Sequence, residues 1–219
     1  MKKLKDSKLL KILLIFNSVI FMISFSISVA IVLKPFYYVQ IKTLHIQEKT
    51  GYTYQEIKEA YDDVLNYTTL NHEFKTGKLK YSEEGKNHFK DCKTLFMINF
   101  ILLGLSFIII ILKRIFLKDI KLKKYPIEYW SSWLILIIFL LITATTLILG
   151  YNKIFEWFHQ IFFLGQDNWL FNPAEDEIIN ILPKEYFMNC SILIVGILFI
   201  TTGIIIGKEF YKKRQNHAS

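Results

Sequence analysis

The run Leu95–Leu112, LFMINFILLGLSFIIIIL, carries no charge and is followed at once by Lys113 and Arg114. At about 1.5 Å per helical residue it is long enough to cross a hydrocarbon core of about 30 Å. Three further runs share this character: Leu9–Leu33, interrupted only by Lys11 near its start, Trp133–Gly150 and Cys190–Gly207. With 53% apolar residues in a chain of 219, four such runs describe an integral membrane protein rather than a soluble domain. The first run follows a Lys-rich start and contains Ser28-Val29-Ala30, a small-residue pattern of the kind found at signal cleavage sites. Its apolar stretch exceeds the usual signal-peptide core of about 7–15 residues, so an uncleaved first helix is expected.

Working outward from the runs, basic residues assign the sides. Lys2, Lys3, Lys5, Lys8 and Lys11 precede the first run. Lys113, Arg114, Lys118, Lys121, Lys123 and Lys124 lie between the second and third, and Lys208, Lys212, Lys213 and Arg214 follow the fourth. These segments hold 15 of the 27 Lys and Arg residues, against only Asp6, Asp119, Glu128 and Glu209 among the acids. The positive-inside rule makes all three cytoplasmic, giving four crossings with both termini inside. The net charge of +8 thus reflects topology and anionic headgroups, with no call for a nucleic-acid partner. The chain divides into 1–34 (tail and first membrane helix), 35–91 (first extracytoplasmic segment), 92–112 (second membrane helix) and 113–128 (basic cytoplasmic loop). It continues as 129–150 (third membrane helix), 151–189 (second extracytoplasmic segment) and 190–219 (fourth membrane helix and tail). The fold class expected is a membrane all-α bundle of four transmembrane helices with a small mixed α/β extracytoplasmic cap.

The first outer segment is too long for a bare connector. Phe36–Ile46 is rich in β-branched and aromatic residues with partial alternation and reads as a strand. Thr53-Tyr-Gln-Glu56 is a capping-box pattern with Ile57, Ala60, Tyr61, Val64 and Leu65 following at helical spacing, which predicts a helix of about three turns from near Tyr54. Leu79-Lys80-Tyr81 reads as a second short strand, and Ser82-Glu83-Glu84 as a helix start running into the second membrane helix. In the second outer segment Ile154, Phe155, Trp157, Phe158, Ile161 and Phe162 form a wide apolar face, so the third helix either extends past the headgroups or bends into the interface. Asn172-Pro173 breaks the chain, and Pro183 opens the approach to the fourth helix.

Of the five histidines, His217 lies in the cytoplasmic tail, and His45 and His72 lack any companion pattern. His88 lies about seven residues before the second run and His159 about nine after the third, so both are expected within about two helical turns of the outer surface. Two imidazoles at one depth form an acid/base pair, since imidazole titrates near neutral pH, or are two unrelated interfacial rings. Asp91, three residues after His88 on the same helical face, either orients that ring as carboxylates do in triads or pairs with Lys90 or Lys86 in water. Asp176 and Glu156 are further outer carboxylates, but no HExxH-type spacing is present and no metal site is expected. The outer aromatics include Tyr37, Trp157, Phe158, Phe162 and Trp169, some of which wall a pocket for an acyl chain or glyceryl group if they leave the ordinary interfacial belt. No GxSxG motif occurs, and neither Cys92 nor Cys190 has a nucleophile's neighbours, which argues against a covalent acyl-enzyme. Both cysteines meet an outer loop at a helix end; two free thiols are expected rather than a disulfide.

Phe158-His159, Trp169, Pro173, Asp176 and Ile179 through Pro183 to Phe187, with the shorter block Glu84…His88…Asp91, resemble the signature of the lipoprotein intramolecular transacylases, small bacterial membrane proteins with four helices. The resemblance covers essentially the whole chain. The family pattern has an aliphatic residue where this chain has Cys92, and a Pro where it has Glu177. The resemblance implies transfer of the sn-2 acyl chain of a diacylglyceryl-modified lipoprotein to the α-amino group of its own N-terminal cysteine, giving a lyso-form lipoprotein. It implies catalysis by His88 and His159 with no cofactor, and places Glu84, Asp91, Trp169 and Asp176 as supporting residues. Partners would be diacylated lipoproteins and membrane lipid, in the bacterial cytoplasmic membrane with the site on its extracytoplasmic face. Two alternatives stay open: an intramembrane hydrolase, in one form metal-dependent, and a non-catalytic docking or sensor protein.

Overall fold

The computed structural model describes residues 6–118, 120–122 and 125–218, with side chains described as far as Gln215. Lys2, Lys3, Lys5, Asp119, Lys123, Lys124 and the His217 side chain, all part of the charge or histidine reading, lie outside the described residues. The elements are α1 (Lys8–Val32), α2 (Lys34–Thr43), α3 (Ile46–Thr50), α4 (Tyr54–Leu70), α5 (Glu83–Phe116), β1 (Lys121–Leu122), β2 (Tyr125–Pro126), α6 (Ile127–Leu149), α7 (Tyr151–Phe162), α8 (Ile178–Ile181) and α9 (Lys184–Ala218). Four of them, α1, α5, α6 and α9, are long and apolar enough to cross a membrane, as the sequence expects. The most apolar windows of α5, α6 and α9 are only 11%, 11% and 6% buried within the protein. Rows of Ile, Leu and Phe such as Ile108, Leu140 and Ile204 therefore face outward, which is stable only where the surrounding solvent is itself apolar.

The chain forms two compact units. One comprises the residues up to Ile27, Phe100–Thr145 and the residues from Leu193 on. Its packing centres on Val19, Met22 and Ile135, with Leu198 and Ile205 against them, and on Leu14, Ile120 and Ile127. Polar groups inside it are matched: Asn17 Nδ2 donates to the Ser106 carbonyl (3.1 Å), and Ser131 Oγ to that of Ile15 (3.2 Å). The two-stranded antiparallel sheet lies here, Lys121 opposite Pro126 and Leu122 opposite Tyr125, with Trp130 Nε1 donating to the Leu122 carbonyl. An ion pair joins Lys113 to Glu128.

The other unit, Ser28–Asn99 with Thr146–Ile192, has a core of Tyr37, Ile41, Ile57, Ala60, Tyr61, Val64, Ile178, Ile181 and Tyr186. Tyr37 stacks on Tyr61 at 3.8 Å between centroids, meets Tyr186 edge-on at 5.1 Å, and donates its hydroxyl to the Ile181 carbonyl at 2.7 Å. The strand expected over Phe36–Ile46 is not formed: Lys34–Thr43 is helix α2, with Pro35 in its first turn. Tyr37, Gln40 and Ile41 are its buried residues, an i, i+3, i+4 stripe; packing of that stripe overrides the local β propensity. Leu79–Tyr81 is likewise not a strand, although an isolated bridge joins Thr76 to Lys78. Among the described residues the paired strands are β1 and β2 instead.

The capping box is present as expected, Thr53 Oγ1 accepting from Glu56 N and Glu56 Oε2 from Thr53 N, and α4 runs well beyond three turns. The start of α5 is clamped from a distance. Asp176 Oδ1 accepts from both Ser82 N (2.8 Å) and Ser82 Oγ (2.9 Å), while that hydroxyl accepts from Gly85 N (2.9 Å). One residue on, Glu177 N donates to the Lys80 carbonyl and Glu177 Oε2 accepts from Lys80 N. A proline at 177 would have no N–H for the first of these bonds. The third span ends at Gly150, whose φ of 78° separates α6 from α7. That residue resolves the choice left by the sequence between an extended helix and a bent one: the chain turns there into a separate amphipathic helix.

Candidate active site

His88 sits in the second turn of α5, just past the Ser82–Asp176 clamp, and is 5% exposed. His159 lies on the inward face of α7 and is 9% exposed, while Trp157, Phe158, Ile161 and Phe162 on the same helix stay exposed. The two imidazoles stand 5.9 Å apart, nearly parallel at 26°. Phe163 touches both, at 4.7 Å from His88 and 5.5 Å from His159. Phe171 meets His88 edge-on at 5.2 Å, and Trp169 stacks on His159 at 4.8 Å. Phe155 (4.3 Å) and Phe158 (5.4 Å) complete the ring of aromatics around His159. The expectation of two histidines at one depth thus becomes a pair in one aromatic box.

Hydrogen bonding fixes which nitrogens are free. His159 Nδ1 is 2.7 Å from the carbonyl of Phe155, one turn earlier in α7. A carbonyl only accepts, so Nδ1 carries the proton and, in the neutral ring, Nε2 carries the lone pair. Burial pushes the His159 pKa below the usual imidazole value, and the Phe155 carbonyl opposes that shift in part. His88 Nε2 is 3.4 Å from Cys92 Sγ, one turn on. His88 Nδ1 is buried with no hydrogen-bond partner among the described residues.

The remaining site candidates separate into those beside the pair and those elsewhere. Asp91 does not bond His88; its Oδ2 accepts from Asn168 Nδ2 at 2.9 Å. A cavity of about 550 Å³ is lined by Glu84, Asp91, Asn168, Phe171 and Asp176 among others, so it shares Phe171 with the aromatic box. Asp176, 4% exposed, is committed to Ser82, which makes it the anchor of α5. Phe162 packs on Phe158 at 4.7 Å, and Trp157 is 40% exposed. Tyr37 is not with them. It is fully buried in the core with its hydroxyl occupied, so the expectation of a pocket residue gives way to one of a core tyrosine. His45 is exposed beside Glu48, and His72 is exposed too. Cys92 and Cys190 are both free thiols. Among the described residues no three His, Cys, Asp or Glu side chains are grouped to hold a metal ion. Asn168 was missed by sequence reasoning, and nothing in the sequence marks it; Phe163, four residues after His159, belongs to the aromatic-dense outer segment from which the sequence drew its pocket candidates.

Comparison with known proteins places this geometry in context. A family model described as "Lipoprotein intramolecular transacylase Lit" matches residues 12–187. No curated protein matches the chain. Among solved structures, the membrane integral lipoprotein intramolecular transacylase Lit from Bacillus cereus superposes with a TM-score of 0.86 at 22% identity, covering 100% of both chains. A second structure of that protein, bearing a histidine-to-arginine mutation, gives 0.78 at 24% identity over 96% of this chain and 94% of that one. A third, bearing a histidine-to-alanine mutation, gives 0.80 at 22% identity over 97% and 96%. At these identities the superpositions establish a shared membrane fold.

Proposed function

The chain belongs to the lipoprotein intramolecular transacylase family and is an acyltransferase of the bacterial membrane; from that premise we propose that it moves the sn-2 acyl chain of a diacylglyceryl-modified lipoprotein onto the α-amine of the same N-terminal cysteine, with His88 and His159 as acid and base. The observation that carries this reading is the pair of buried imidazoles 5.9 Å apart inside one aromatic box.

The chemistry asks for such a pair. Attack closes a ring of amine nitrogen, Cα, Cβ, thioether sulfur, two glyceryl carbons, ester oxygen and carbonyl carbon. An eight-membered ring is entropically unfavourable, and a confined site that holds the reactive conformer supplies up to roughly 7–11 kcal/mol. The α-amine, with a pKa of about 7.7–8.0, arrives largely as ammonium near neutral pH. One neutral histidine takes its first proton and becomes the acid. The freed amine attacks the ester carbonyl, and the other histidine takes the second N–H proton as the C–N bond forms. The acid then protonates the departing sn-2 oxygen as the C–O bond breaks. Amide, free hydroxyl and one proton for solvent result, with atoms and charge in balance. His159 works through Nε2, because Nδ1 is held by the Phe155 carbonyl. The cavity lined by Glu84, Asp91 and Asp176 adjoins the pair, and its carboxylates favour a cationic amine. The exposed Trp157, Phe158 and Phe162 offer the acyl chains an apolar approach from the membrane.

The test is mass spectrometry with fragmentation of a diacylglyceryl-cysteine peptide incubated with purified protein. The expected product has the mass of the substrate, with one chain now in amide linkage. Release of a free fatty acid points to a hydrolase, and an unchanged substrate to a docking role. His88→Ala and His159→Ala should fold and yield no amide; wild-type turnover by both ends the two-histidine mechanism. The same reading puts the site outside the cell: a tag at Asn71 is accessible on intact cells and one at Lys121 is not, and the reverse labelling overturns the topology.

A further inference from the structure

Two orphaned atoms lie at the edge of the histidine pair. His88 Nδ1 and Asn168 Oδ1 are the buried side-chain atoms that lack a hydrogen-bond partner among the described residues. Unpaired buried polar atoms are rare and expensive, so two at one place call for a reason. Asn168 is also the amide that acts on the His88 ring. Its orientation is not arbitrary. Asn168 Nδ2 donates to Asp91 Oδ2 at 2.9 Å, and a carboxylate cannot be the partner of an amide oxygen. Asp91 therefore turns the acceptor end of Asn168 away from itself and leaves it free for a donor. The other side of His88 agrees, since Nε2 faces the Cys92 thiol at 3.4 Å, a donor to a nitrogen lone pair.

Resting on the acid/base reading above, we infer that Asn168 is a positioning residue: held by Asp91, it accepts the Nδ1–H of His88 and so keeps the lone pair on Nε2, where only the weak Cys92 thiol contact has to give way for that nitrogen to exchange protons with substrate. Asp91 thus orients His88 through an intervening amide rather than directly. The two histidines then share one design, each giving its Nδ1–H to an acceptor-only oxygen: the Phe155 carbonyl for His159, at 2.7 Å, and, by this inference, the Asn168 amide for His88. The titratable groups around His88 are His159 from α7 and, on its own helix, Asp91 and Cys92; Asp176 lies against Gly85 one turn earlier.

The experiment measures kcat, KM and the pH profile of amide formation with the purified protein and a synthetic diacylglyceryl-cysteine peptide. Asn168→Ala is expected to lower kcat by about 10–100-fold, as loss of an orienting partner to a working imidazole does, with KM unchanged. The exchange Asp91→Asn with Asn168→Asp restores a donor–acceptor pair and puts a carboxylate against Nδ1–H. It is expected to recover most of kcat and to move the acidic limb of the profile to higher pH, because the carboxylate favours the imidazolium. Wild-type kcat and profile in Asn168→Ala overturn the proposal. So does an exchange variant that is folded, inactive and unshifted, which decides the matter even if Asn168→Ala fails to fold. Turnover by His88→Ala in the same assay ends the acid/base reading itself. An inactive His88→Ala beside a normal Asn168→Ala removes only the role of Asn168.

Discussion

Gly85 is where the structure leaves least room. A Cβ added there would lie 2.1 Å from Asp176 Oδ1, 2.8 Å from its Cγ and 3.2 Å from Phe171 Cε1. Relief of that contact requires the carboxylate to move by about 1 Å, which takes Oδ1 out of bonding range of Ser82 N and Ser82 Oγ, now at 2.8 and 2.9 Å. Hydrogen bonds to a charged acceptor contribute about 1.5–3 kcal/mol each. Alanine's better helix propensity returns about 1 kcal/mol. The expected loss for Gly85→Ala is therefore about 2–5 kcal/mol, or a fall in Tm of roughly 4–20 °C for a chain of this size. Activity falls as well, because the clamp sets the start of the helix that carries His88, and Phe171 packs on that imidazole. The assay is thermal unfolding in detergent beside Gly104→Ala, where an added Cβ meets nothing within 4 Å. The control should be unchanged or slightly stabilised. If Gly85→Ala melts with the control and turns over substrate normally, the clamp does not hold the site.

Four further outcomes are expected. Burial holds the His159 pKa below the free value, so its basic form survives acidification further than that of a free imidazole; the acidic limb of kcat/KM should lie below the usual pH of about 6.5. The linked stability has the same sign: as pH falls through about 6.5 the unfolded chain's imidazole takes a proton that the buried one still refuses, so acid favours unfolding, and urea titrations at pH 7 and 5.5 should show it. Tyr37→Phe should lose about 1–2 kcal/mol by orphaning the buried Ile181 carbonyl, while activity per folded molecule stays unchanged; a large rise in KM would return Tyr37 to the substrate pocket. Thr53→Ala should lose about 1 kcal/mol through the capping box, read as faster hydrogen exchange in the first turn of α4, with transacylation intact.

The four spans were legible because membrane insertion is a property of each segment alone: length, hydropathy and charge suffice. The capping box at Thr53 was legible for the same reason, its partners lying within one turn. The convergence of His88 and His159 came from counting residues outward from two spans, a measure of depth that says nothing of lateral position. The helix over Lys34–Thr43 was not legible, since its aromatic and β-branched residues suit a strand and only burial of Tyr37, Gln40 and Ile41 selects the helix. Asp176 was picked out within a sequence block, yet its work on Ser82 spans 94 positions of chain. Asn168 left no trace at all, because an amide's role depends on which oxygen and which ring it meets.

The bond from His159 Nδ1 to the Phe155 carbonyl is internal to α7. The protonation pattern of this imidazole is therefore set within a single helical turn and does not depend on the rings that reach it from outside α7. If a substrate with two acyl chains displaces α7 on entering, the ring travels with its acceptor and arrives with Nε2 still bare. A part that keeps its chemical setting while it moves is well suited to an enzyme whose substrate is itself a piece of the membrane.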